Sequence, residues 1–164
     1  MTYAVAALVP MRHESERVPG KNYRLLAGKP LFHYILQSLL ASPRVSDVVI
    51  DTDSELIRDD VAVAFPSVRV IERPPHLRDG KISMNAVLLN DVEQIGADIY
   101  LQTHSTNPFL KSGTVTAAVD AFLGNPGCDS LFSVTRRQTR LWSADGRPLN
   151  HDPEQLLRTQ DLDP

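Results

Sequence analysis

The sequence AVAALVPMRHESERVPGKN, residues 4–22, joins a continuous run of small apolar residues to a loop rich in cations. The run from Ala4 to Val9 shows no polar alternation, which is typical of a strand covered on both faces in a parallel sheet. Arg12, Arg17 and Lys21 follow within one loop, and a Pro-Gly step before the lysine gives a fixed bend with an uncrowded backbone. Several cations beside accessible backbone amides indicate a binding site for a phosphate group.

Beyond this loop, predicted helices alternate with predicted strands. Apolar runs predict further strands at 48–51, 68–71, 98–101 and 130–135. Helix-start signals occur at Pro30, Ser54, Ser83 and Ser112. The first helix has an apolar stripe formed by Leu31, Ile35, Leu36, Leu39 and Leu40. Because strands separated by helices of this length form parallel sheets, we expect an α/β fold with a three-layer α/β/α, Rossmann-like, mostly parallel sheet in one domain over residues 1–164.

The cation-rich loop follows the carboxyl end of the first predicted strand. Ligands of open α/β sheets usually bind in crevices at such strand ends. A Walker loop is excluded, because Asn22 follows Gly20-Lys21 and no glycine lies five positions before Gly20. The alternative interpretation is a solvated surface loop that carries three cations by chance.

Composition narrows the classes of partner. The 164 residues are 42% hydrophobic, which indicates a folded chain. Their net charge of -3 gives no overall basic field, so we expect no nucleic-acid partner. A lone Cys128 excludes an internal disulfide and a cysteine-based metal cluster. The apolar start, residues 3–9, is too short for a signal peptide or a membrane span. We therefore expect a cytoplasmic protein with no membrane partner.

The loop and the segment after it share a signature with a known family. The signature reads Arg, two residues, Ser, then Pro-x-Lys-Asn, followed by Leu-x-Gly-Lys-Pro-Leu. This stretch resembles the signature of the acylneuraminate cytidylyltransferases, which make CMP-activated sialic acids and related sugar acids. The matching positions are Arg12, Ser15, Arg17, Pro19, Lys21, Asn22, Leu26, Gly28, Lys29, Pro30 and Leu31. His13-Glu14 and Glu16 depart from the family pattern, and a carboxylate beside a triphosphate is unfavourable unless it points away or pairs with an arginine.

This resemblance implies a nucleotidyltransferase fold of the diphosphosugar type and a reaction in which a sugar hydroxyl attacks the α-phosphate of CTP and releases pyrophosphate. Arg12 and Lys21 would then be catalytic, because they stabilise charge on the phosphates during transfer. The residues implied in nucleotide binding are Arg12, Ser15, Arg17, Lys21, Asn22, Arg73 and Ser83. For Ser83, a simple helix N-cap is an equally good interpretation.

Three later segments resemble the sugar-acid site of the same family. They are Gln102 to Pro108, Asp129 to Arg137 and Arg158 to Asp161. The residues implied in sugar binding are His104, Thr106, Asn107, Arg136, Arg158 and Gln160. An exposed loop histidine and solvated arginines are the alternative interpretations.

The resemblance also implies Mg²⁺, but its ligands in the family lie in a segment beyond Pro164. We predict no metal ligand in this chain, and we interpret Asp51 and Asp53 as a strand end that leads into a helix cap. The domain is therefore expected to be incomplete at its C-terminal end. A non-catalytic nucleotide- or phosphate-binding module, or an inactive fragment of such an enzyme, is the main alternative. A receiver-type domain that uses Asp51 or Asp53 as phosphoacceptor is disfavoured, because such domains have acidic residues where this chain has Arg12.

The tail after Thr135 has few periodic apolar residues but contains several large ones, namely Trp142, Leu149, Leu156 and Leu157. Exposed apolar groups of this kind commonly mark an interface, and the family resemblance also implies pairing. We therefore predict a homodimer. A tail that folds back on its own sheet is the alternative.

Overall fold

The computed structural model of the chain describes residues 3–155 and 157–162, so Leu156 lies outside the described residues. The strands are β1 (Val5–Met11), β2 (Leu25–Leu26), β3 (Lys29–Pro30), β4 (Asp47–Thr52), β5 (Arg69–Glu72) and β6 (Ile99–Gln102). The helices are α1 (Leu31–Leu40), α2 (Glu55–Ala64), α3 (Met84–Gln94) and α4 (Ser112–Leu123). Strands and helices alternate as the sequence predicts.

The main sheet has four parallel strands in the order β5-β4-β1-β6. β1 is central: Val9 is in register with Ile50 of β4, and Leu8 is in register with Gln102 of β6. The chain adds β4 and β5 on one side of β1 and then crosses to place β6 on the other side. This reversal creates a switch point between the carboxyl ends of β1 and β6, where such sheets bind ligands.

Helices cover both faces of this sheet. On one face, Ala7, Val9 and Met11 pack in a core with side chains of α1, α2 and α4, whereas Ala6 and Leu8 pack on the other face with α3. All seven residues of β1 are buried, as its uninterrupted apolar run predicts. The three-layer α/β/α fold is therefore confirmed.

A short hairpin formed by β2 and β3 precedes α1 and was not predicted. Its two turn residues, Ala27 and Gly28, have φ angles of 47° and 82°. Positive φ at both central positions is typical of a type I′ turn, which matches the twist of the strands it joins. Within α1, Phe32 is buried and Leu40 is 42% exposed, so the predicted stripe is wrong at its C-terminal end.

Two of the predicted helix caps are confirmed, and one is wrong. Ser54 Oγ accepts a hydrogen bond from Ile57 N at 3.3 Å, and Ser83 Oγ accepts one from Ala86 N at 3.3 Å. The N-cap of α4 is Lys111, which makes no side-chain cap bond, and Ser112 is the first helical residue. The serine instead offers its backbone carbonyl to Thr116 Oγ1 at 3.0 Å.

The predicted fifth strand at 130–135 is wrong. This segment has no regular secondary structure, and Phe132 and Val134 are 82% and 78% exposed. The run has high β-propensity, but propensity alone does not form a strand without a hydrogen-bonded neighbour.

The chain separates into two compact units, residues 1–127 and 128–164. The described part of the second unit contains a small hairpin closed by a bridge between Trp142 and Pro148, with Asn150 donating to Thr139 O at 2.8 Å. Whether the chain acts as one domain stays a prediction. Among the described residues, none of the helices has the length and apolar content that a membrane span requires.

Candidate functional site

A pocket lies at the switch point, formed by the loop after β1, the segment after β5, the start of α3 and the loop after β6. Seven residues implied in binding line it: Arg12, Ser15, Lys21, Asn22, Arg73, His104 and Thr106. Pro10, Met11, Glu14, Met84 and Ser105 complete the lining. Its volume of about 140 Å³ is smaller than the roughly 300–1,000 Å³ of typical small-molecule sites. The pocket therefore suits one part of a large ligand, such as its phosphate groups.

Asn22 fixes the loop after β1 through its side-chain amide. Its Nδ2 donates to Arg12 O at 2.7 Å, and its Oδ1 accepts from Ser105 Oγ at 2.6 Å. The side chain is buried, and these two bonds join both ends of the loop to the loop after β6. Asn22 thus holds the walls of the pocket together, a role that the sequence alone does not indicate.

The same loop is anchored on its outer side by His13. Its backbone N donates to Asp53 Oδ1 at 2.7 Å, its Nδ1 lies 2.8 Å from Ser54 Oγ, and its ring stacks on Tyr23 with centroids 5.3 Å apart. Gly20 has a φ of +64°, and a β-carbon there would lie 2.7 Å from the Tyr23 ring. The Pro-Gly bend therefore requires its glycine both for the backbone angle and for the close approach of the tyrosine.

Within the described part of the chain, the cations of the loop make no ion pairs. No carboxylate of residues 3–155 or 157–162 lies within 4.0 Å of the charged nitrogens of Arg12, Arg17 or Lys21. Arg12 and Lys21 line the pocket with these charges available to an anion. Glu16 makes no ion pair with either arginine among the described residues, although its Oε1 and the Nη1 of Arg12 both approach Gly80.

Arg73 forms a buried ion pair beneath the pocket. Its Nε and Nη2 both contact Oδ1 of Asp51, and Nη2 also lies 3.5 Å from Asp51 O. The side chains of Arg73 and Asp51 are 2% and 0% exposed. β4 and β5 are adjacent parallel strands with Asp51 in register with Ile71, so Arg73, two residues further on, reaches the Asp51 side chain from the same side of the sheet. Asp51 lies at the end of the strand that leads into the Ser54 cap, as interpreted from the sequence, but its ion pair with Arg73 was not predicted.

A second carboxyl group belongs to this buried cluster. Asp91 of α3 is 1% exposed and lies beside the Asp51 carboxyl group, and Asn90 Nδ2 donates to Asp91 Oδ1 at 3.3 Å. Burial and, after it, the negative charge of Asp51 together raise the pKa of Asp91 to about 7. Burial also raises the pKa of Asp51, although the Arg73 guanidinium acts to lower it. Since Asp51 makes the direct ion pair, Asp91 is the carboxyl group that holds the proton.

The sequence did not predict Asp91 as a site residue, nor that Asp51 belongs to a buried cluster. The signal for Asp91 was its spacing, because it lies four residues after Val87 and four before Ile95, and all three are buried. A lone carboxylate on an apolar helix face requires a partner in the core. The partner of Asp91 could not be identified from the sequence, because it comes from a distant element, strand β4.

The other implied residues lie outside the pocket lining. Arg17 and Asn107 are exposed, and Ser83 acts as the N-cap of α3. In the second unit, Arg136 is exposed, Arg158 Nε pairs with Asp161 Oδ2 at 2.7 Å, and the Gln160 backbone oxygen accepts from Gln138 Nε2 at 2.8 Å. Their roles in binding stay predictions.

Acidic residues in the described part of the chain do not form a metal site. No group of three or more His, Cys, Asp or Glu side chains among residues 3–155 and 157–162 is arranged to hold a metal ion. Because Mg²⁺ is usually held by one or two carboxylates together with substrate phosphates, the Mg²⁺ requirement stays a prediction.

The fold, the cation-rich loop and the pocket agree with the result of comparison with known families. Residues 6–162 match the model of the family described as Cytidylyltransferase. The chain belongs to this family. The match covers the whole pocket and nearly the whole of both units.

Individual cytidylyltransferases of several sugar acids are similar to the chain. N-acylneuraminate cytidylyltransferase A of Danio rerio is 29% identical over 96% of this chain and 38% of its own length. CMP-N,N'-diacetyllegionaminic acid synthase of Legionella pneumophila is 36% identical over 71% of this chain and 52% of its own length. The chain thus spans between 38% and 52% of the length of these two relatives.

Solved structures confirm the fold of this cytidylyltransferase chain. A CMP:2-keto-3-deoxy-manno-octonic acid synthetase complexed with CTP superposes with a TM-score of 0.64 at 24% identity, over 75% of this chain and 48% of the other. A cytidylyltransferase from Leptospira borgpetersenii gives a TM-score of 0.59 at 23% identity, over 76% of this chain and 51% of the other. At this level of identity the similarity establishes the shared fold.

Proposed function

We propose that this chain binds CTP in the switch-point pocket and takes part in the transfer of CMP to a sugar acid of the sialic acid type, with release of pyrophosphate. The observation that carries the proposal is the pocket itself, where Arg12 and Lys21 lie without carboxylate partners among the described residues. The names of the relatives support a sugar acid as acceptor.

In this proposal the chain acts mainly through charge and position. Arg12 and Lys21 neutralise the phosphate oxygens, whose negative charge increases as the bond to the leaving pyrophosphate breaks. The sugar hydroxyl forms the new bond to the α-phosphorus, and its proton passes to solvent or a base. His104 and Thr106, on the loop after β6, are placed to contact the part of the ligand beyond the phosphates.

A direct test measures nucleotide binding by isothermal titration calorimetry with CTP, UTP, ATP and GTP. We expect CTP to bind tightest of the four. Tightest binding of a purine nucleotide would contradict the base assignment. Release of pyrophosphate with N-acetylneuraminate, 3-deoxy-manno-octulosonate or legionaminic acid as acceptor then tests the transfer step.

A nucleotide-binding module without catalysis is the second candidate. The small volume of the pocket and the absence of a metal-ligand cluster from residues 3–155 and 157–162 favour it. It predicts CTP binding with no pyrophosphate release for any acceptor, whether or not Mg²⁺ is added. The Mg²⁺ requirement implied by the family resemblance is a proposal that the same assay tests.

We also propose that the chain forms a homodimer through its second unit. Trp142 and Leu149 are 53% and 64% exposed, and Phe132 and Val134 are more exposed still. We expect light scattering to give the mass of a dimer and Trp142→Ala to shift it toward the monomer. A monomer at high concentration, unaffected by Trp142→Ala, would contradict the homodimer.

A further inference from the structure

Asp51, Arg73 and Asp91 form a buried cluster of two carboxyl groups and one guanidinium group, and Arg73 connects this cluster to the pocket. Arg73 uses Nε and Nη2 to contact Asp51, and its Nη1 has no partner among residues 3–155 and 157–162. This third nitrogen is the part of the guanidinium group left to interact with a ligand, and Arg73 lines the pocket.

Asp51 leaves one of its two oxygens unused. Oδ1 contacts Arg73, whereas Oδ2 is buried and has no hydrogen-bond partner among the described residues. An unsatisfied buried carboxylate oxygen is costly, and the group that contacts the Asp51 carboxyl is that of Asp91. A protonated Asp91 supplies the missing donor.

We propose that Asp91 is a positioning residue for the pocket, whose carboxyl O–H donates to Oδ2 of Asp51 and so holds Asp51 and Arg73 in the arrangement that binds nucleotide. This inference rests on the proposed function, because it assumes that the anion in the pocket is a nucleotide phosphate. With Asp91 neutral, the cluster carries one negative and one positive charge. Loss of the Asp91 proton adds a second negative charge beneath the anion site.

The direction of the pH effect follows from the groups around Asp91. Asp51 and Asp53 at the end of β4, Arg73 after β5 and Asn90 on α3 surround the cluster. The pKa of Asp91 is raised to about 7, so the proton is present at pH 6 and absent above pH 8. Nucleotide affinity therefore decreases as pH rises through this window.

The Asp91→Asn variant removes the negative charge that Asp91 can acquire and keeps a hydrogen-bond donor at the same position. Its amide N–H donates to Asp51 Oδ2 at every pH, so the variant mimics the protonated acid. Glu93→Gln, which removes an exposed carboxylate from the same helix, is the matched control. We measure CTP dissociation constants at pH 6 to 8.5 and take the ratio of wild type to variant, in which the titration of the CTP phosphate cancels.

We expect the ratio for Asp91→Asn to be near one at pH 6 and to reach about tenfold by pH 8.5, from one added charge near the anion. The ratio for Glu93→Gln stays constant. A carbon-13 NMR titration of the side-chain carboxyl groups of the free chain should show one group that titrates near pH 7 and is missing in Asp91→Asn.

A result that contradicts the positioning role of Asp91 differs from one that contradicts the proposed function. If CTP binds but the Asp91→Asn ratio does not change with pH, or if every carboxyl group titrates below pH 5, the positioning role is overturned and the proposed function stands. If no variant binds CTP, the proposed function fails and the role of Asp91 fails with it. If Asp91→Asn does not fold, the NMR titration of the wild-type chain decides.

Discussion

Replacing Arg73 by Ala is expected to lower the free energy of unfolding by about 3–5 kcal/mol, the range for removing one partner of a buried ion pair. Arg73 is buried beside Asp51, and the substitution leaves two buried acids without their cation. We would measure the change by urea denaturation followed by circular dichroism. Arg69→Ala, at an exposed position of β5, is the matched control and should cost less than about 1 kcal/mol.

The destabilisation by Arg73→Ala should depend on pH. Without the guanidinium, the pKa of Asp51 in the folded chain rises further above its value in the unfolded chain. At pH values between these two pKa values, the folded state binds more protons than the unfolded state. The free energy of unfolding of the variant therefore decreases as pH rises, and the loss is larger at pH 8 than at pH 5. A loss below 1 kcal/mol at pH 8 would show that Arg73 does not compensate these acids.

The second large effect is expected for nucleotide binding. Lys21→Ala should weaken CTP affinity by about 1.5–3 kcal/mol, the scale of hydrogen bonds to charged groups, which is roughly a 10- to 150-fold increase in the dissociation constant. Lys21 lines the pocket, is partly exposed and has no carboxylate partner within 4.0 Å in the described part of the chain. Its removal should therefore leave folding intact.

Calorimetry with CTP measures this effect, and thermal denaturation verifies that the variant is folded. Lys29→Ala removes an exposed lysine of β3 and serves as the matched control, for which we expect unchanged affinity. Arg17→Ala is informative as well, because Arg17 matches the family signature but does not line the pocket. A folded Lys21→Ala chain with wild-type affinity would contradict the placement of the phosphates in this loop.

A site residue could be predicted from the sequence only where a local pattern marks it. The loop residues Arg12 and Lys21 could be predicted, because a cation-rich turn directly after a buried strand is a local pattern and the strand end determines its place. Asn22 was predicted as a nucleotide ligand, but its amide bonds join Arg12 to Ser105. The local pattern thus placed Asn22 at the pocket but did not predict the hydrogen bonds that it makes.

The sequence by itself determined the order of helices and strands, the parallel sheet and the loop that carries the cations. The uninterrupted apolar run of β1 and the spacing of the helices contain this information locally, because periodicity reports which faces of an element are buried. The segment 130–135 shows the limit of such signals, since β-propensity predicted a strand where no neighbour pairs with it.

Only the tertiary structure decided how the acids beneath the pocket are used. Asp51, Arg73 and Asp91 come from β4, the segment after β5 and α3, and each lies at least 18 positions from the next in the sequence. Their charges compensate each other because the parallel register places the ends of β4 and β5 side by side and the packing of α3 removes water from all three groups. Burial and a partner brought from a distant segment determine the pKa of a carboxyl group, and neither is encoded in its neighbours along the chain.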